Sequence, residues 1–162
     1  MNVEPDAQML NILVVDDNED DVILLEESLR DQSAVRFLHV LHDGEAAMQY
    51  LRREGEYADA PRPGLVLLDI NMPRKNGFEV LSEMKENPDL RTIPVIMLTT
   101  SRRDADILNA YSGGACSFVT KPVSFDKLKQ MAGHFVAYWS TVARIPCSDP
   151  GIAENPDAIQ TA

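Results

Sequence analysis

The sequence predicts an α/β domain in which a parallel sheet is covered by helices on both faces, and three observations carry that expectation. Three short runs, "NILVVDD", "LVLLDI" and "IPVIMLTT", are nearly continuous in Val, Ile and Leu, the pattern of strands buried on both faces. Segments of helical period lie between them, so strands and helices alternate. Two weaker apolar runs bring the number of strand–helix units to five.

The first run ends at Asp17, and Asn18 follows as a cap for a helix that offers Asp21 at its third position. Val22, Leu25 and Leu29 then fall on one face of that helix. "VRFLHVLH", from Val35 to His42, reads as an edge strand, and "DGEAAMQYLRREGEY" as the next helix. "EYADAPRPG" is a surface loop, because two prolines and a glycine interrupt either regular structure. "LVLLDI" around Asp69 is the third strand, followed by the helix "GFEVLSEMKENPDL". "IPVIMLTT", ending at Thr100, is the fourth, followed by "RRDADILNAYSGGA". "CSFVTKP", from Cys116 to Pro122, is a second edge strand, and one long helix, "SFDKLKQMAGHFVAYWSTVARI", closes the order. From Pro146 onward three prolines and no cation predict a mobile tail, so residues 9–145 form one domain and 146–162 its extension.

With 162 residues, 44% hydrophobic and 25% charged, the chain is long enough for a single sizeable core. Its 26 acidic and 15 basic side chains give a formal charge of −11, which argues against direct nucleic-acid or anionic-membrane binding. Cys116 and Cys147 make neither a disulfide framework nor a metal-binding spacing; the first reads as a small buried hydrophobe and the second as a tail thiol. The acidic N-terminus lacks a signal-peptide pattern and no apolar run approaches the ~20 residues of a membrane span, so a cytoplasmic protein is expected.

In an open parallel sheet, ligands bind beyond the carboxyl ends of the strands. Asp16 and Asp17, Asp69, Thr99 and Thr100, and Lys121 all end strands and converge on one edge. Three carboxylates together raise one another's pKa unless a cation neutralises them, and an all-oxygen donor set suits a hard divalent ion, Mg2+. Such an ion, with an ammonium and a hydroxyl beside it, makes a receptacle for a phosphoryl group that a carboxylate can attack as nucleophile. Asp69 is the expected nucleophile. Asp20, Asp21 and Glu19 are read as charges favouring a helix N-terminus. Arg74 and Lys75 are read as solvated loop cations, with a role in concentrating a phosphate donor as the alternative. His39, His42 and His134 share no metal spacing, and Phe135, Tyr138 and Trp139 are read as a core-facing aromatic stripe.

Four motifs at four strand ends, "VVDDN", "LLDINMPRKNG", "PVIMLTTS" and "VTKP", make the chain resemble the receiver domain of two-component response regulators. Two further stretches, "HDGEAAMQYLRREGEYADAPRPG" and "NPDLRTIPVIMLTTS", resemble the single-domain regulators that serve bacterial and cyanobacterial phytochrome histidine kinases. The resemblance implies a flavodoxin-like (βα)5 three-layer sandwich of strand order 2-1-3-4-5, with Asp69 as phosphoacceptor. It implies Mg2+ held by Asp17, Asp69 and the backbone carbonyl of Asn71, with Asp16 assisting through water. It further implies that Lys121 bonds the phosphoryl group through a cis peptide to Pro122, that Thr99 swings its hydroxyl onto the phosphate, and that Phe118 occupies the aromatic switch position. A phytochrome-type sensor histidine kinase is the implied partner, and homodimers the implied assembly, through the face of the fourth helix, fifth strand and fifth helix.

Nothing after the last helix is long or basic enough for a DNA-binding output domain, so a stand-alone module acting through protein contacts or onward phosphotransfer is expected. Two alternatives use the same residues differently. A Mg2+-dependent aspartyl-phosphate phosphohydrolase would need a proton-exchanging group two residues after the nucleophile, where this chain has Asn71. A receiver-fold scaffold without phosphorylation has no need of the carboxylates and lysine that this chain keeps.

Overall fold

The computed structural model describes residues 7–146. Five strands, β1 (Leu10–Val15), β2 (Val35–Leu41), β3 (Leu65–Leu68), β4 (Val95–Thr99) and β5 (Ser117–Thr120), form one parallel sheet of order β2-β1-β3-β4-β5. The expected strand order is therefore observed, and the two weaker runs are the edges. Helices α1 (Glu19–Arg30), α2 (Gly44–Leu51), α3 (Gly77–Glu86), α4 (Asp104–Ser112) and α5 (Phe125–Ala137) follow the strands in turn.

Alternate residues of each central strand feed two separate cores. Leu13, Val15, Val66, Leu68 and Met97 pack with Met48, Leu81 and Met84 of α2 and α3. Ile12, Val14, Leu67, Ile96 and Leu98 pack with Leu25 and Leu29 of α1 and with Leu128, Ala132 and Val136 of α5. Burial on both faces explains the unbroken apolar runs. Phe135 and Trp139 are half-buried against the second core, whereas Tyr138 is 51% exposed, so the aromatic stripe divides between core and surface.

The helix starts follow their side chains. Asn18, Asp43, Asn76 and Ser124 each accept a hydrogen bond from the backbone three residues on, and at α3 Glu79 returns the bond to the Asn76 N–H, completing a capping box. Two helix ends differ from the sequence reading. α2 stops at Leu51, where Arg53 takes a left-handed φ of 56° and the Glu54 N–H reaches the Gln49 carbonyl at 2.9 Å, a helix-ending turn that ordinarily carries glycine. α5 stops at Ala137 and widens into a π turn, Tyr138–Val142. There the Gln8 side-chain amide donates to the carbonyls of Trp139 and Ala143 at 2.8 and 2.7 Å, so the extra carbonyls of the widened turn find a donor.

Two further expectations are corrected. Cys116 is exposed, because β5 is an edge strand and the residue lies just ahead of it. The Lys121–Pro122 peptide is trans, since the described residues contain no cis bond; trans is the lower-energy isomer, and Lys121 reaches its carboxylate partners from that backbone. The expected tail, apart from Pro146, lies outside the described residues, as does Cys147.

Candidate functional site

Asp16 and Asp69 immediately follow β1 and β3, Thr99 ends β4, and Lys121 follows β5. Strand register brings these ends together: Val15 pairs with Leu68, Leu68 with Met97, and Thr99 with Thr120. Asp16, Asp69, Thr99 and Lys121 are buried, while Asp17 and Asn71 are exposed at the rim. The carboxylates of Asp16, Asp17 and Asp69 offer oxygen atoms within 4.8 Å of one another.

Local backbone chemistry fixes two of these carboxylates. The Asn18 N–H donates to Asp16 Oδ1 at 2.9 Å and the Ile70 N–H to Asp69 Oδ1 at 2.8 Å, which leaves the second oxygen of each facing Lys121. Gly77 starts α3 so close to β3 that an added Cβ would collide with the Asp69 carbonyl, and its N–H donates to the Ile70 carbonyl at 2.8 Å. The acceptor loop is thus folded tightly back on the strand end.

Lys121 Nζ lies 2.5 Å from Asp16 Oδ2, 3.1 Å from Asp21 Oδ2 and 3.6 Å from Asp69 Oδ2. Burial pushes the Lys121 ammonium down, but Asp16, Asp69 and Asp21 outweigh it and hold the group above its ordinary value, so it stays charged. Burial pushes the Asp16 carboxyl up, only partly offset by Lys121 and the Asn18 N–H. One cation against four carboxylates leaves the site strongly negative. An all-oxygen set with that charge fits a hard divalent cation held by Asp16, Asp17 and Asp69.

The hydroxyl of Thr99 accepts from the Ser101 N–H at 3.2 Å. Ser101 in turn donates its hydroxyl to Asp106 Oδ2 at 2.6 Å, which ties the β4–α4 loop to α4. Phe118 is half-buried against the α2–α3 core, and its N–H donates to the Tyr111 hydroxyl at 3.3 Å. Arg74 pairs with Asp43 at 3.4 Å and the half-buried Lys75 with Glu83 at 2.6 Å; both loop cations are engaged with acids of α3 or the α2 cap.

Sequence reasoning missed Asp21 as a partner of the site lysine. The signal was its register: Asp21 stands one turn before the buried Leu25 and so shares its face of α1. It also missed His42, whose Nδ1 lies 3.2 Å from the Asp16 carbonyl oxygen.

The model of the response regulator receiver domain family matches residues 12–133. The chain is similar to the response regulator Rcp1 of Synechocystis sp., with 39% identity over 137 residues that cover 85% of this chain and 93% of Rcp1. It is also similar to the methanogenesis regulatory protein FilR2 of Methanothrix harundinacea, described as probable, with 40% identity over 136 residues covering 83% of this chain and 86% of FilR2. Among solved structures, the phosphorylated cyanobacterial phytochrome response regulator RcpA superposes with a TM-score of 0.82 at 39% identity, covering 86% of this chain and 99% of RcpA. The Mn2+-bound form of Rcp1 gives 0.80 at 39% identity, covering 85% of this chain and 99% of that one.

Proposed function

Because the chain belongs to the response regulator receiver domain family, we propose that it accepts a phosphoryl group on Asp69 from the phosphohistidine of a phytochrome-type sensor histidine kinase in the cytoplasm. The observation that carries this reading is the placement of Asp69 beside Asp16, Asp17 and Lys121 at one edge of the sheet. In the transfer, the free Asp69 oxygen attacks phosphorus, the new O–P bond forms as the N–P bond to the histidine breaks, and the imidazole leaves. Mg2+, held by Asp16, Asp17, Asp69 and the Asn71 carbonyl, would neutralise charge on the transferring oxygens. Lys121 supplies the ammonium that pairs with the new phosphoryl group. Asn71 exchanges no proton, so the phosphoaspartate persists as a signal in place of being turned over.

The switch begins at Thr99, whose hydroxyl accepts one backbone N–H and gains a stronger, charged partner once Asp69 is phosphorylated. Movement of Thr99 and the β4–α4 loop opens space toward Phe118, which carries the change to the α4-β5-α5 face. Leu108 and Tyr111 of α4 and Phe125 at the start of α5 are exposed, and these apolar side chains support phosphorylation-tuned homodimers. Transfer of labelled phosphoryl groups from an autophosphorylated phytochrome kinase tests the reading. Wild type is expected to acquire label and Asp69→Asn to acquire none; equal labelling of both would reject Asp69 as acceptor.

A further inference from the structure

An ammonium has three N–H donors and no acceptor; Lys121 has Asp16 and Asp21 within hydrogen-bond reach and feels Asp69 only through charge. The two nearer partners are Asp16 at 2.5 Å and Asp21 at 3.1 Å, while the acceptor Asp69 is the farthest at 3.6 Å. Asp21 belongs to α1 and not to the set that could hold a metal. Its side chain is 36% exposed against 7% for Lys121, so of the three it can most readily exchange the lysine for water. Beside the pair lies a cavity of about 20 Å3, walled by Leu25, Leu98 and Leu128 as well as Asp16, Asp21 and Lys121. A space of that size holds about one water molecule, and its apolar wall strengthens the ion pair.

We propose that Asp21 is a positioning residue that holds Lys121 back from the acceptor, so that an incoming phosphoryl group must draw the lysine away from α1. The proposal rests on Asp69 being the phosphoacceptor. Asp21 thereby sets how readily the site is phosphorylated, independently of the metal ligands. The adjacent Asp20 carries the same charge at the same helix terminus, is exposed, and makes no ion pair with Lys121, so it separates the contact from the general field of the helix end.

The test uses the full chain with acetyl phosphate and Mg2+ and follows intact mass with time; an O–P bond forms to Asp69 as the bond from phosphorus to acetate breaks and acetate leaves. Asp21→Asn is expected to raise the initial rate about fivefold, the scale of one partly exposed ion pair. Asp21→Glu is expected to restore the wild-type rate and Asp20→Asn to leave it within about twofold. An unchanged or slower Asp21→Asn, or an equal gain in Asp20→Asn, overturns the proposal. A second readout needs neither phosphate nor metal: the NMR signal of the Lys121 ammonium is expected to shift in Asp21→Asn and to stay in place in Asp20→Asn. An unmoved signal overturns the contact itself. A moved signal in a protein that takes no phosphoryl group on Asp69 overturns the kinetic role through failure of the acceptor assignment, and so distinguishes the two.

Discussion

Replacing Lys121 by Met keeps an unbranched stem in the site and removes the cation that pairs with Asp16, Asp21 and Asp69. Asp16 is 2% exposed and Asp69 8%, so neither can recover its lost partner fully from water. Removing one member of a buried ion pair costs about 3–5 kcal/mol. Asp21 is partly exposed and the site opens at the sheet edge, which places the loss at the lower end, about 3 kcal/mol. For a domain of this size that corresponds to a fall in Tm of about 9 °C. Urea unfolding in chelator reads the loss as a lower midpoint with unchanged slope. Mg2+ replaces the missing positive charge, so it is expected to stabilise Lys121→Met more than it stabilises wild type. A loss under about 1 kcal/mol, or equal stabilisation of both proteins by Mg2+, would refute the role of Lys121 as the counter-ion of the carboxylate cluster.

Gly77→Ala drives a methyl group into the Asp69 carbonyl; it is expected to cost about 2 kcal/mol in chemical unfolding and to slow phosphorylation, and a neutral effect on both would contradict the tight loop. Thr99→Ala is expected to change stability by no more than about 1 kcal/mol and to leave phosphoryl uptake intact, while abolishing any phosphorylation-dependent change in small-angle scattering. His39 lies among Phe37, Tyr50 and Tyr57, and burial pushes its imidazole below the ordinary value of 6.5. Above that pH both the folded and unfolded states are neutral at His39; as the pH falls through it the unfolded chain takes up the proton first, so folded stability declines. His39→Phe is expected to flatten this part of the pH–stability profile, and an unaltered profile would remove His39 as its source.

The sequence made the central strands legible because burial on both faces leaves an unbroken apolar run, and parallel topology then put Asp16, Asp17, Asp69, Thr99 and Lys121 at one edge. Contacts between elements were less visible. Asp21 serves a helix terminus and also Lys121, a hundred residues away in the chain, and a helix-start pattern reports only the first role. Helix ends were obscured for a related reason: Arg53 adopts the left-handed conformation that glycine signals, and the carbonyls of the π turn are satisfied by Gln8 from the other end of the domain. Cys116 was read as a small buried hydrophobe because its spacing fits neither a disulfide framework nor a metal site, yet it is exposed at the open edge ahead of β5.

The most direct measurement of the central claim is the intact mass of the protein after incubation with acetyl phosphate and Mg2+, repeated with Asp69→Asn and with chelator. Mg2+-dependent phosphorylation of Asp69 requires a single added phosphoryl group in wild type with Mg2+ and none in either control. Addition that survives the loss of Asp69 or of the metal would contradict it.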